Sequence, residues 1–247
     1  MLIDNLITTP SFRNKKNRLK FDEEVGDFHK ILFEKKHTLP SISAIYRVKN
    51  ASSFLECSIL SVAPICNEII IVDNGSSDDT LVIANKLKDK LSGVCSVKIF
   101  EYNKKLAIAG DNYRINLTSD SSLANFYSYC FSLASSDYVM KCDAHLIYLP
   151  SALRKIQKKL ESGRRVIIYK GIEIFGMKLS FERYIFKNDN SFMYRDGDLY
   201  EELVFDYNLS KLEQIKSMIF SPCFIHIKRL QYINNIGSKN LVEQLYK

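Results

Sequence analysis

The segment Glu68–Asp73, EIIIVD, constrains the chain more than any other six residues in it. Ile69, Ile70, Ile71 and Val72 follow one another without a polar break, so neither face of the strand they form is left for water. Strands buried on both faces are characteristic of parallel sheets sandwiched between helices. The neighbouring segments fit that arrangement. Ile42–Val48 reads as a preceding strand. Ser53-x-x-Glu56 forms a capping box ahead of a helix with Leu55, Ile59 and Val62 on one face. NGSSDDT then turns the chain into a second helix, capped by Ser76, with Leu81, Ala84, Leu87 and Leu91 at helical spacing.

A third strand fits Ser96–Tyr102, followed by a polar excursion from Asn103 to Asp120 around Gly110. Leu123, Phe126, Tyr127, Cys130 and Ala134 mark the next helix, Tyr138–Asp143 the next strand. After Pro150 comes a helix with Leu153, Ile156 and Leu160 inward and Lys155, Lys158 and Lys159 outward. Successive strand–helix units of this length predict an α/β fold, a mainly parallel central sheet with helices on both faces. Further strands are expected at Arg165–Lys170, Phe181–Phe186 and Phe220–Ile227. No internal repeat is present.

The 247 residues, 46% hydrophobic and 26% charged, suffice for one well-filled core. Residues 1–40 read as an N-terminal extension: a basic stretch, Asn14–Lys20, then acidic residues, then FHKILFEKKH as a short amphipathic helix. The main domain spans 41–247. No apolar run approaches the roughly 20 residues that cross a bilayer, and the start lacks a basic segment followed by an apolar one, so a cytoplasmic chain is expected. Six scattered cysteines without a CxxC pair read as small core residues in a reducing compartment. The net charge of +7 favours nucleotides or an anionic membrane surface, or is simply a solvated face. With no Cys/His finger and no basic–aromatic repeat, nucleic acid is not expected as a partner.

Ligands of an open parallel sheet collect beyond the carboxyl ends of its strands. Three polar groups fall there: Arg47–Asn50, Asp73–Asp79 and Asp143–His145. Neither GxxxxGK[ST] nor GxGxxG is present. Asp73 is placed to accept hydrogen bonds from a base or ribose, and Gly75 permits a tight turn. Asp143 and His145, two apart where a strand ends, offer a carboxylate oxygen and an imidazole nitrogen, a pair suited to Mn²⁺. Such an ion could neutralise a diphosphate leaving group. His226, in FIHIK, reads either as a hydrogen-bonded core or edge residue or as a third ligand; His29 and His37 read as surface residues.

Two linked segments carry a resemblance. SAIYRVKNASSFLECSILSVAPICNEIIIVDNGSSDDT, and YVMKCDAHLIYLP set after SLANFYSYCFSLASSD, resemble the family 2 glycosyltransferases in register from about Ile42 to Leu153, and more loosely beyond. The resemblance implies the single-domain GT-A fold, with a donor half at about 41–150 and an acceptor half at about 151–247. It implies Arg47, Lys49 and Asn50 beside the nucleotide, and Asp73 at the nucleobase, with Asn74, Gly75 and Ser76 shaping the pocket. Asp143 would be the first acid of an Asp-x-Asp metal motif. His145 replaces the second, as in the polypeptide N-acetylgalactosaminyltransferases. The cofactor implied is Mn²⁺ or Mg²⁺.

FERYIFKNDNSFMYRDGDLYEEL resembles the acceptor-side stretch of bacterial lipopolysaccharide-core and capsule glycosyltransferases. There Glu201, after Tyr200, matches the general base that inverting members need. Glu202, Asp198 and Asp196 compete for the role, and a solvent-facing acidic helix start is the plain alternative. Lys170, Gly171, Glu173 and Gly176 match the loop under the acceptor; Arg47 or Arg183 could stabilise the leaving diphosphate. The expected activity is transfer of a sugar from a nucleotide-sugar donor to a hydroxyl of a surface glycan or lipid-linked oligosaccharide, with inversion, near an anionic membrane. A sugar nucleotidyltransferase would need a Gly-rich first turn, which RVKNASSF lacks. An inactive sugar-binding or subunit-binding protein is kept open by the Asp-to-His change.

Overall fold

Parallel pairing begins at β1 (Ile42–Val48), which lies between β2 (Glu68–Asp73) and β4 (Tyr138–Cys142), with Val48 opposite Asp73 and Tyr46 opposite Cys142. The computed structural model describes residues 30–174 and 179–230. β3 (Ser96–Glu101) extends the sheet beyond β2. On the other side β8 (Glu182–Lys187) pairs antiparallel with β4 and with β6 (Val166–Tyr169), and β11 (Met218–Ile219) adds a parallel edge. The order is β11-β6-β8-β4-β1-β2-β3, and every neighbouring pair is parallel except those that involve β8. This is the mainly parallel α/β sheet expected.

The period of two along β1 decides which side chains meet which layer. Ala44, Tyr46 and Val48 join one apolar cluster with α1 (Leu55–Val62), α2 (Thr80–Lys90) and α4 (Pro150–Glu161). Ile45, with Ile70, Val72 and Val139, faces the opposite cluster under α3 (Leu123–Ser132) and the antiparallel hairpin of β9 (Phe192–Asp196) and β10 (Glu201–Phe205). Helices therefore cover both faces. Arg47 shares the parity of Ile45, so its side chain is directed under α3. Among the described residues no helix is long and apolar enough to cross a membrane. Five cysteines are buried and Cys57 is exposed, all of them free.

Residues 30–36 are helical and dock on the domain: Leu32 lies in its core, and Gln157 donates to the Leu32 carbonyl at 2.8 Å. The basic stretch Asn14–Lys20 and His29 lie outside the described residues, and His37 is exposed. Several local expectations give way. Ser53 caps nothing: α1 begins after Phe54 with no side-chain cap, and the Leu55 amide that Ser53 would cap already donates to the Ala51 carbonyl at 3.0 Å. Ser76 does not cap α2, which begins after Asp79. Phe220–Ile227 is not one strand. Met218–Ile219 pairs with β6, whereas β12 (Phe224–His226) joins β5 (Leu146–Tyr148) and β7 (Ile172–Glu173) in a small separate sheet. The acidic helix start that was the plain alternative at Glu201 is not formed: Glu201 opens a strand, β10.

Candidate active site

Three strand ends meet at the carboxyl edge of the sheet, and the register of β4 against β1 brings Asp143 beside Arg47. Arg47 Nη2 donates to Asp143 Oδ1 at 2.6 Å and to the Cys142 carbonyl at 3.1 Å. The guanidinium side chain is 5% exposed and Asp143 is 38% exposed, so the cation sits below and the carboxylate opens to the cleft. The guanidinium packs over the Tyr127 ring at 4.3 Å and near Phe131 at 5.8 Å, both on α3. Its Nε and Nη1 have no partner among the described residues. Burial opposes the Asp143 charge, but Arg47, with His145 and Lys141, overcomes it and holds the carboxyl below its ordinary pKa.

The loops after β1 and β2 are locked to each other. Asn50, at φ 51°, donates its amide to Ser76 Oγ at 2.8 Å and accepts from the Ser77 amide at 2.8 Å. Asp73, 2% exposed, accepts from the Ser76 amide and hydroxyl at 2.9 and 2.5 Å. Asn74 donates to the Tyr102 and Lys104 carbonyls. Gly75, at φ +67°, makes the turn that a β-carbon would strain. Desolvation would raise Asp78, but hydrogen bonds from Thr80 and Ser52 outweigh it and hold it at about 2. Thus Asn50, Asp73, Asn74 and Ser76 all hold the rim of the cleft in shape, while Lys49 stands exposed on it.

A cleft of about 220 Å³ is lined by Arg47, Lys49, Asn50, Asp143, His145 and Lys228, among others. Lys228 was missed in the sequence; the available signal was a basic residue directly beyond the strand that carries His226. Burial, with His226 and Lys228 close by, pushes the His145 imidazole down to about 4 against the pull of Asp143. At neutral pH its nitrogen lone pair is therefore free for a metal. His226 meets the His145 ring edge-on, centroids 4.6 Å apart, and its Nδ1 lies 2.6 Å from Glu173 Oε2. Asp143 and His145 together offer a carboxylate oxygen and an imidazole nitrogen, a pair that suits Mn²⁺. Among the described residues no three such side chains converge as a metal-binding group, so Asp143 and His145 are the pair at the cleft and His226 the neighbour behind.

The last-third residues divide. Gly171 is where β12 presses on β7: a β-carbon there would stand 2.1 Å from the Phe224 ring. Gly171 and Glu173 thus belong to the histidine side of the site. Lys170 lies over the Phe181 ring at 4.7 Å, and Gly176 lies outside the described residues.

Glu201 opens β10 on the hairpin that covers α3. Asp196 anchors that hairpin, accepting from Tyr113, from Ser122 at 2.7 Å and from the Ala124 amide at 3.0 Å. The same contacts set α3 against β10, so that Tyr127, stacked on Arg47, also lies within electrostatic reach of Glu201. Burial raises the Glu201 carboxyl above its ordinary value, while Tyr127, Arg47 and Lys141 pull it back only in part. A second cleft, about 560 Å³, is lined by Lys141, Glu182, Arg183, Tyr200, Glu201 and Glu202 among others. The competitors are otherwise engaged: Glu202 pairs with Arg195 at 2.7 Å, Asp196 is the anchor, and Asp198 is exposed.

Residues 43–230 match the family described as glycosyl transferase family 2. No curated protein matches the sequence. Among solved structures, S. aureus TarS is 12% identical with a TM-score of 0.52, over 81% of this chain and 40% of that one; its 1–349 fragment gives 0.49, also at 12%, over 81% and 66%. Glucosyl-3-phosphoglycerate synthase from Mycobacterium tuberculosis, in complex with Mn²⁺, uridine diphosphate and glucosyl-3-phosphoglycerate, is 20% identical with a TM-score of 0.39, over 57% of this chain and 47% of that one. The chain spans less than two thirds of the length of each. With a match to three quarters of its residues and the α/β sheet it requires, the chain belongs to glycosyl transferase family 2.

Proposed function

We propose that the chain transfers a sugar from a nucleotide-sugar donor to a hydroxyl of a bacterial surface glycan or glycolipid, with inversion at the anomeric carbon. The observation that carries the reading is the continuity of Asp143, Arg47, Tyr127 and Glu201, which connects a cationic cleft on one side with a carboxylate-lined cleft on the other. The donor's diphosphate occupies the first cleft, where Lys49 and Lys228 face its charge. Asp73 and its turn form the nucleobase side. Glu201, raised by burial and facing the second cleft, takes the proton of the acceptor hydroxyl as that oxygen attacks the anomeric carbon and the bond to the diphosphate breaks. A divalent cation, when bound, supplies charge neutralisation for the leaving diphosphate, and Asp143 and His145 would hold it. Arg47 keeps Asp143 ionised for that purpose.

A thermal-shift series of nucleoside diphosphates with and without Mn²⁺ tests the donor side, since a ligand of the folded state raises its melting temperature by mass action. No shift with any nucleotide under either condition defeats the reading. The anomeric configuration of the product tests inversion. Lys228→Ala is expected to weaken binding of the preferred nucleoside diphosphate about 10- to 100-fold, the effect of losing a charged hydrogen bond worth about 1.5–3 kcal/mol. The equivalent loss is not expected with the free nucleoside, and calorimetric titration of both ligands checks the difference.

A cytoplasmic location, and peripheral attachment to an anionic membrane, belong to the same reading. The membrane contact would rest on Asn14–Lys20 and Lys158, because Lys155 donates to Ser221 at 2.6 Å and Lys159 to the Lys216 carbonyl. Co-sedimentation with anionic but not neutral vesicles is the expected result.

A further inference from the structure

The antiparallel ladder between β8 and β6 contains an irregularity. Ile185 lies opposite Ile167, but the next partner, Ile168, lies opposite Arg183, so Tyr184 is an extra residue on β8. Strict alternation from Ile185 would send Tyr184 to the layer of Phe186 and Arg183 to the layer of Ile185. Instead Tyr184 and Ile185 both join the apolar cluster under α1, α2 and α4, whereas Phe186 faces the other one. Arg183 is thereby carried round to the side of the hairpin, where its guanidinium lies over the Phe205 ring of β10 at 4.8 Å. A bulge re-aims a side chain at the expense of a regular pairing. The side chain re-aimed here is a cation, and it lines the 560 Å³ cleft onto which Glu201 also faces.

The other charges of that cleft are spoken for. Lys141 donates to Glu182 at 2.7 Å, and Glu202 is held by Arg195 at 2.7 Å. Among the described residues no carboxylate pairs with Arg183, so its charge and its N–H groups stand ready for a ligand. Its planar fork matches the paired oxygens of a phosphate or a carboxylate, and stacking on an aromatic face leaves the in-plane donors free. Ser180, three residues earlier on the same lining, adds a hydroxyl donor. We propose that the acceptor carries an oxyanion, a phosphate or a carboxylate, which Arg183 receives while Glu201 faces the hydroxyl that is to be glycosylated. This inference rests on the reading of the second cleft as the acceptor side. It also takes Arg183 away from the leaving diphosphate, because Arg183 does not line the first cleft.

The full chain is titrated with glycerol 1-phosphate, with glucuronate and with methyl glucoside. Arginine Nε–Hε resonances report where each probe binds, Arg183→Lys assigning the Arg183 signal by its loss, and calorimetry reports affinity. A saturable shift of the Arg183 signal is expected with at least one of the two anions and not with methyl glucoside. The anion that binds more tightly tells a phosphate-bearing acceptor from a uronate-bearing one. Arg183→Met keeps the stem on Phe205 without the charge, and it should weaken that anion about 10-fold or more. Arg183→Lys keeps the charge without the fork, so it should recover part of the loss, which packing of the side chain alone would not produce. It also serves if Arg183→Met does not fold. An Arg183 signal that neither anion moves overturns the proposal, as does one that methyl glucoside moves equally. Loss of nucleoside diphosphate affinity in Arg183→Met overturns it too, since Arg183 would then serve the donor. In each of these cases the transferase reading stands as long as nucleoside diphosphates raise the melting temperature of the wild type. Anion binding at Arg183 in a protein that takes no nucleotide overturns the acceptor role and that reading together.

Discussion

Glu201→Gln lowers the single-turnover transfer rate by about 10²- to 10⁴-fold, the usual contribution of a positioned general base, while donor affinity stays within about threefold. Gln keeps the size and the hydrogen-bonding capacity but cannot take the acceptor proton. Glu202→Gln is the control: that carboxylate is engaged with the exposed Arg195, and its loss should change the rate less than about threefold. A wild-type rate in Glu201→Gln removes the residue from catalysis. The pH profile adds a sign. Burial, the largest influence on Glu201, raises its pKa, so the acid limb of the rate falls off above the ordinary glutamate range rather than within it. The same shift acts on stability in the opposite sense to a salt-bridged acid. The unfolded chain releases the proton at a lower pH than the folded one, so ionising Glu201 costs the fold stability as the pH rises from the ordinary value through the raised one. Glu201→Gln should therefore melt slightly higher than wild type at pH 8 and no higher at pH 4.

The sheet was legible because its evidence is local. Ile69–Val72 could hardly lie anywhere but between two helical layers, and the residues directly beyond β1, β2 and β4 had to cluster because parallel strands end together. Arg47 was placed in the right cluster; the parity of β1, which sends it under α3 to Asp143, was present in ISAIYRV and was not used. The loop residues show a different limit. Asn50, Asp73 and Ser76 are polar and lie at a strand end; a ligand contact and a turn that holds itself together look alike there in sequence, and the mutual hydrogen bonds of these residues come only from the structure. Glu173 and Lys228 lay further out of reach. Glu173 meets His226, 53 residues away, within a small sheet apart from the main one, and two-residue strands such as β7 leave no periodicity to read. The hairpin bearing Glu201 was missed for a related reason: MYRDGDLYEEL mixes charges and aromatics so evenly that no period dominates.

Asp143→Ala is the substitution expected to cost the fold most, and the reason lies in Arg47 rather than in Asp143. Without its carboxylate the guanidinium remains buried against Tyr127 and Phe131 with only the Cys142 carbonyl for a partner. Breaking a fully buried ion pair costs about 3–5 kcal/mol. Because Asp143 is 38% exposed, solvent screens part of the pair and about 2–3 kcal/mol is the better expectation. For a domain of this size that lowers the melting temperature by roughly 4–12 °C. The pH dependence follows from the direction of the shift. Asp143 is depressed in the folded state, so its contribution is complete above the ordinary aspartate pKa and is lost as the pH falls through the depressed one; the gap between wild type and Asp143→Ala should close only under strong acid. Arg47→Met alone should also destabilise, since Asp143 then lacks the charge that offsets its burial. The double substitution removes both charges and leaves an apolar side chain among aromatic rings, so its cost should fall short of the sum of the two single costs by at least about 1 kcal/mol. Denaturant unfolding of all four proteins measures that coupling. Additive costs would mean that Arg47 and Asp143 are close without depending on each other, and would withdraw Arg47 as the group that keeps Asp143 ionised.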